Sequence, residues 1–277
     1  MSASSRPEWA LVLGASSGFG EATAIELARV GMNVFGVHLD RKATLPHVDE
    51  VVAAIRAHGR EAVFFNANAA DAEKRKEILE QIEARLKASS PPGTVRVLFH
   101  SLAFGTLKRY VGDDPASAVD QKQMEMTVDV MGHSLVYWAQ GLVHQGLMSS
   151  GGRIYAMTSA GGTRVIPTYG PVSAAKAVLE SHIRQLAMEL APKGITANAI
   201  RAGVTDTPAL RKIPGHEALL EGARRKNPHG RLTTPADVAA AVGVLCQPNT
   251  HWITGNVIGV DGGEDVVEAG AVPASSA

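Results

Sequence analysis

Trp9-Ala10-Leu11-Val12-Leu13-Gly14-Ala15-Ser16-Ser17-Gly18-Phe19-Gly20 decides the fold. The apolar run Trp9 to Leu13, bounded by Pro7 and Gly14, reads as a short buried strand. GASSGFG, Gly14 to Gly20, then passes into EATAIELARVG, a helical pattern. A glycine turn between a strand and a helix lets the backbone approach a pyrophosphate. The helix N-terminus adds free N–H groups and a positive dipole, and Ser16 and Ser17 add hydroxyls. Nucleotide binding is the expected role, against a merely tight structural turn.

The same order repeats downstream. Asn33–Val37 is an expected strand, Val48–His58 a helix ended by Gly59, and Ala62–Phe65 a strand leading to Asn66-Ala67-Asn68-Ala69. Ala72–Ala88 reads as a charged amphipathic helix, broken by Ser89-Ser90-Pro91-Pro92-Gly93. Val95–Phe99, Arg153–Met157, Ile195–Ile200 and Val257–Val260 are further strands, with a long helix from Gln121 to Met148 that Gly132 and Gly141 can interrupt. Thr234-Pro235-Ala236-Asp237 reads as an N-cap, a first-turn proline and an acidic third position, opening a helix to Cys246. Strands alternating with helices imply an α/β fold: one Rossmann-type, doubly wound parallel sheet of about seven strands with helices on both faces. No repeat or linker divides the chain, so residues 1–277 are expected to form a single domain with loose tails at 1–7 and 269–277.

Ligands of such sheets bind beyond the strand C-termini. After the second strand come His38, Asp40, Arg41 and Lys42. An acidic residue here would accept from an adenosine ribose 2′-OH, and a basic one would hold a 2′-phosphate. His38 is neither; Asp40 fits NADH, whereas Arg41 or Lys42 fits NADPH. Both cofactors stay open, with the lean toward NADPH and with His38 and Arg41 as the residues taken for that end.

Composition narrows the class. The chain has 277 residues, 27 Lys+Arg against 27 Asp+Glu, and 45% hydrophobic residues, which argues for a large core and against nucleic acid as a partner. Cys246 is the lone cysteine, so no intrachain disulfide can form and a reducing compartment fits. MSASSRPEW has no signal-peptide pattern, and no segment approaches the roughly 20 apolar residues of a membrane helix. A cytoplasmic protein with no membrane partner and no metal site is the expectation.

The chemistry concentrates after the fifth strand, in TSAGGTRVIPTYGPVSAAKAVLES. Tyr169 and Lys176 lie seven positions apart, about two helical turns at 3.6 residues per turn. A free phenol, with a pKa near ~10, is a poor acid at neutral pH. An adjacent ammonium favours the phenolate and so makes the phenol a better proton donor. The alternative is a helix-entrance tyrosine and a solvated lysine. Met124, Met126, Met131 and Met148 read as core or packing positions rather than a cofactor box.

Taken together, GASSGFG, the Ser159/Tyr169/Lys176 set, NAIRAGVTDT after the sixth strand and ITGNVIGVDGG near the end resemble the short-chain dehydrogenase/reductase family over about Trp9 to Asp265. Within it, Tyr-x6-Lys and His100-Ser101-Leu102-Ala103 resemble the enoyl-acyl-carrier-protein reductases, most of all the NADPH-linked type III branch. Most members of the wider family place the tyrosine four before the lysine, which here is Val172. Asp129 stands where most carry an asparagine. Ser159 stands where the commonest enoyl reductases have a second tyrosine, and it matches the serine of ordinary members.

The resemblance implies an NAD(P)H-dependent enoyl thioester reductase acting on an acyl-carrier-protein or coenzyme A substrate, with Tyr169, Lys176 and Ser159 as catalytic residues. It implies that Gly14, Ser16, Ser17, Gly18, Phe19 and Gly20 hold the pyrophosphate side. Asn68 and Ala69 would flank adenine, and Ser101, Leu102 and Ala103 would line the ribose. Lys176 would hold the nicotinamide ribose, and Val204 and Thr207 would meet carboxamide and phosphate. Residues 208–231 would form a lid, whose Arg224-Arg225-Lys226 is a solvated face or a contact for an acidic carrier. Family habit implies a homotetramer. Reduction of a ketone, or a catalytically silent nucleotide-binding regulator, are the alternatives.

Overall fold

The computed structural model describes residues 6–268. Seven parallel strands run β1 (Glu8–Leu13), β2 (Asn33–His38), β3 (Ala62–Asn66), β4 (Thr94–His100), β5 (Arg153–Thr158), β6 (Thr196–Ala202) and β7 (Val257–Val260), in the sheet order β3-β2-β1-β4-β5-β6-β7. Helices α1 (Gly18–Arg29), α2 (Leu45–Ala57), α3 (Ala72–Lys87), α4 (Gln121–Val128), α5 (Ser134–His144), α6 (Gly170–Leu190), α7 (His216–Lys226) and α8 (Pro235–Leu245) connect them. The expected Rossmann-type architecture is present.

β1 shows why the sheet must be covered on both sides. Trp9, Leu11 and Leu13 point into one core with Leu98, Trp138 and Ile183, while Ala10 and Val12 point into the other with Leu27, Phe99 and Val242. A strand apolar on both faces is stable only between two helical layers. Trp9 stacks on Phe35 of β2 at 4.1 Å between ring centroids, which adds a directional contact to simple burial.

The chain winds outward from β1 to β3, then crosses back so that β4 pairs with the other side of β1. The resulting crevice lies between the ends of β1 and β4. There Gly14 N donates to Val37 O and Ser101 N donates to Leu13 O, so the loops after β1 and β4 are tied to the ends of β2 and β1.

Two details differ from expectation, at Gly141 and at the N-terminal tail. The long helix divides into α4 and α5 around a π-helical segment, Asp129–His133, which contains Gly132 but leaves Gly141 inside regular helix. Packing explains it: a Cβ at Gly132 would lie 3.1 Å from Val178 Cγ1 and 3.3 Å from Ala175 O, so α6 presses directly on that turn. Residues 208–231 hold a 3₁₀ turn at Leu210–Lys212 and then α7. Of the expected tail 1–7, Arg6 and Pro7 are tied down: Arg6 donates to Pro92 O and Gly93 O, and Pro7 O accepts from Thr94 N. Residues 1–5 and 269–277 lie outside the described residues.

Candidate active site

The glycine turn is built by the absence of side chains. Gly14 has φ +84°, and a Cβ there would lie 2.6 Å from Ser101 O. A Cβ on Gly20 would lie 1.9 Å from Gly14 O, which no small adjustment relieves. Helix α1 starts at Gly18, and its N-cap Ser17 makes no side-chain capping bond, so the first-turn N–H groups have no side-chain acceptor. An anionic pyrophosphate fits that cradle. The loop after β6 closes over it, with Thr207 Cγ2 lying 3.6 Å from where a Gly18 Cβ would be.

At the end of β2, His38 and Asp40 are tied together. His38 is buried, and its Nδ1 lies 3.0 Å from Asp40 Oδ2, so its ring supports Asp40 instead of facing a ligand. Thr44 donates to Asp40 Oδ1 at 2.7 Å, and Asn66 Oδ1 accepts from the Asp40 backbone N–H at 3.1 Å. Burial alone would raise the Asp40 carboxyl, but hydrogen bonds from Ser16, Thr44 and His38 outweigh it and hold the group below its ordinary value. A fixed anion therefore stands beside Ser16 of the glycine turn. Arg41 and Lys42 are exposed. Asn68, also exposed, accepts from Ala70 N, while Ala69 is buried and its carbonyl accepts from Trp138 Nε1 at 2.8 Å.

From the crevice a cavity of about 260 Å³ runs to the end of β5. Ser17, Gly18, Phe19, Ser101, Leu102, Ala103, Ser159, Tyr169, Lys176, Val204 and Thr207 all line it; Gly14, Ser16, Gly20, His38, Arg41, Asn68 and Ala69 do not. Its outer wall is apolar, made by Leu107, Met131, Ile166, Val172, Leu210, Ile213 and Leu219. Val172 is buried beside Val130, Met131 and Ala175, so the position of the family's usual tyrosine is filled by an aliphatic side chain.

Local structure explains how Tyr169 and Lys176 come together. β5 ends at Thr158, and Ser159 N-caps a 3₁₀ turn by accepting from Gly161 N at 3.1 Å. Tyr169 immediately precedes α6, and Thr168 before it has φ +62°, a left-handed conformation unusual for a β-branched residue. Gly161 gives the phenol ring room: a Cβ there would lie 2.5 Å from Tyr169 Cε1. Lys176, one residue short of two turns into α6, is buried and donates to Met157 O at 2.7 Å.

Burial raises the Tyr169 phenol above its ordinary value, and the Ser159 hydroxyl beside it works in the opposite direction. Burial brings Lys176 down to about 8, with Glu180 opposing the fall. Tyr169 is thus a neutral hydrogen-bond donor, not a phenol on the verge of ionising.

Residues to which motif reading gave no role of their own complete the site. His100 is fully buried, and burial foremost, then the charge on Lys176, holds it neutral with a pKa of about 3. Ser134 gives its proton to Val130 O, so His100 Nε2–H is the donor to Ser134 Oγ at 2.8 Å. Glu264 lines the cavity and accepts from Val204 N–H at 3.2 Å; burial raises its carboxyl. The basic residues of the excursion are largely paired: Arg211 with Asp206, Arg224 and Arg225 with Glu221. Lys212 is the basic residue of that stretch that lines the cavity.

Residues 14–264 match the family described as enoyl-(acyl carrier protein) reductase. The chain belongs to this family. Among its relatives, 1-cyclohexenylcarbonyl-CoA reductase of Streptomyces collinus is 29% identical over 95% of this chain and 88% of its own. Enoyl-acyl-carrier-protein reductase (NADH) of Aquifex aeolicus is 30% identical over 63% of this chain and 64% of its own. A crystal structure of the Aquifex enzyme superposes with a TM-score of 0.80 at 24% identity, covering 95% of this chain and 98% of that one. Trihydroxynaphthalene reductase of Pestalotiopsis fici is 29% identical over 94% of this chain and 90% of its own. This member of the enoyl reductase family is a pyridine-nucleotide-dependent oxidoreductase of the short-chain dehydrogenase/reductase type. No helix among its described residues is long and apolar enough to cross a membrane.

Proposed function

We propose that this protein reduces the carbon–carbon double bond of an α,β-unsaturated acyl thioester carried by coenzyme A or acyl carrier protein. The carrying observation is the neutral, half-buried Tyr169 lining the cavity while Val172 occupies the nearer position on α6. Reduction of a simple carbonyl wants an acid at the oxygen of the carbon that receives hydride. Conjugate reduction wants it two atoms further along, which is the sense of the shift from position 172 to 169.

A bound reduced nicotinamide supplies the hydride for the β-carbon. Tyr169 donates its O–H to the thioester oxygen, whose negative charge grows only as the reaction proceeds, so the bond favours the transition state over the ground state. Lys176 holds the nicotinamide ribose hydroxyls, and the amides after Gly14 hold the pyrophosphate. The apolar wall of Leu107, Met131, Ile166, Leu210 and Ile213 receives the acyl chain and keeps water from the growing charge. The anion at Asp40 accepts a ribose 2′-OH and repels a 2′-phosphate. That arrangement favours NADH and replaces the lean toward NADPH.

The test follows nicotinamide absorbance with NADH or NADPH and either crotonyl-coenzyme A or acetoacetyl-coenzyme A. Oxidation with crotonyl-coenzyme A and not with acetoacetyl-coenzyme A is expected. The reverse pattern would overturn conjugate reduction and favour ketone reduction with Ser159 and Tyr169 as the acid pair, a reading that the Ser159 hydroxyl beside Tyr169 makes concrete.

A further inference from the structure

We infer that Glu180 is a positioning residue for Lys176, its carboxylate clamped by the Thr158 hydroxyl so that it keeps the buried ammonium charged and aimed into the cavity. The inference rests on the role given to Lys176 above. Glu180 lies one turn beyond Lys176 on α6, and its side chain folds back along the helix. A point just off Gly162 lies 3.4 Å from Lys176 Cβ, 3.5 Å from Glu180 Oε1 and 3.9 Å from Thr158 Oγ1, so the carboxylate and the hydroxyl sit against the base of the lysine side chain and act on its ammonium through space. Thr158, the last residue of β5, donates to Glu180 Oε1 at 2.6 Å. That bond fixes one carboxylate oxygen to the sheet and stops the side chain from swinging into solvent.

Lys176 needs such a partner. An ammonium buried at 5% exposure loses most of its hydration, and one bond, to Met157 O, replaces only part of it. The other groups around it do not help. His100 from β4 is neutral, and Tyr169 is a neutral phenol. Glu264, on the same cavity, is bonded to Val204 N–H and is itself pushed toward its neutral form by burial. Arg201, the β6 register partner of Thr158, is paired with Asp265, as is Arg164. Glu180 is the group whose charge opposes the effect of burial on Lys176.

The experiment is a fluorescence titration of NADH into the whole protein between about pH 6 and about pH 9, a range that brackets the lysine. Wild type, Glu180→Gln and Thr158→Val are compared. Glu180→Gln keeps the shape and an acceptor for Thr158 while removing the charge. Wild type should lose NADH affinity above about pH 8 as Lys176 deprotonates, and Lys176→Arg, which stays protonated, should not. Glu180→Gln should lose it about one pH unit earlier, giving a several-fold weaker Kd near pH 7.5 that converges on wild type near pH 6. Thr158→Val should shift in the same direction by less. A Glu180→Gln profile that overlies wild type would overturn the inference. So would an affinity lowered equally at every pH, the mark of a purely structural role. Crotonyl-coenzyme A reduction is scored separately, so inactivity toward that thioester refutes the proposed reaction without altering the binding profile that judges Glu180.

Discussion

The glycine turn after β1 and the Tyr169–Lys176 corner after β5 sit at the same end of the same sheet, yet they are made in opposite ways. The turn is made of backbone, and what matters is that side chains are missing: Gly20 has no space for a single carbon beyond its Cα. The corner is made of side chains, several of them polar: Lys176, His100 and Thr158 are removed from water, and the phenol of Tyr169 is half-buried beside them. The first kind of site cannot be altered without altering the fold. In the second, chemistry and fold come apart, because a hydroxyl or a charge can be removed while the packing around it stays.

Gly20→Ala is the largest test of that difference. With its Cβ 1.9 Å from Gly14 O, this substitution is expected to cost more than about 3 kcal/mol of stability and abolish NADH binding, as read by thermal melts and nucleotide titration. A folded, nucleotide-binding Gly20→Ala protein would break the comparison. Tyr169→Phe should do the reverse. Its melting temperature should stay within a few degrees of wild type, while turnover of the enoyl thioester falls by roughly 10²–10³, the usual cost of one oxyanion donor. Wild-type turnover in that variant would remove Tyr169 from the chemistry.

The floor of the corner should make itself felt in acid. His100 is held neutral with a pKa of about 3, whereas in the unfolded chain it would titrate near ~6.5. Its folded pKa is depressed, so its contribution to stability is fully present above ~6.5 and is lost as pH falls toward 3, where the unfolded chain binds a proton that the folded one refuses. Denaturant melts should show stability falling by up to about 1.4 kcal/mol per pH unit from this residue across that window, and a folded His100→Gln variant should show a shallower slope.

At the edge of the cradle, Asp40→Ala should shift the NADPH/NADH ratio of kcat/KM toward NADPH by about tenfold, since it removes one fixed anion near the 2′ position. An unchanged ratio would show that Asp40 does not face the ribose. Smallest is Thr168→Gly. It relieves a left-handed threonine but frees the unfolded chain, so stability should change by less than about 1 kcal/mol, while loss of rigidity before Tyr169 lowers turnover several-fold. A turnover equal to wild type would mean that α6, not the residue before it, holds the phenol.

Most of the architecture was legible because its signals are local. The β1 run, the glycine turn and the Thr234 cap declare themselves within a few residues, and each appears where expected. The divided helix was half legible: the expected interruption at Gly132 is there, where α6 presses on it, but the one at Gly141 is not, because that glycine stays within regular helix. The loop after β2 was only partly legible for a related reason. Strand-end position pointed to His38 and Arg41, but the fold turns His38 inward as a support and leaves Asp40 beside Ser16.

By itself, then, the sequence determined the strand and helix order and the glycine turn, because these follow from apolar period and glycine placement, and its resemblance to the family singled out Tyr169 and Lys176. Only the tertiary structure decided their electrical state. Burial raises Tyr169 and lowers Lys176, and Thr158, at the end of another element, holds Glu180 where its charge acts on the ammonium. Those effects depend on desolvation and on distances between segments far apart in the chain, which no pattern of neighbours encodes.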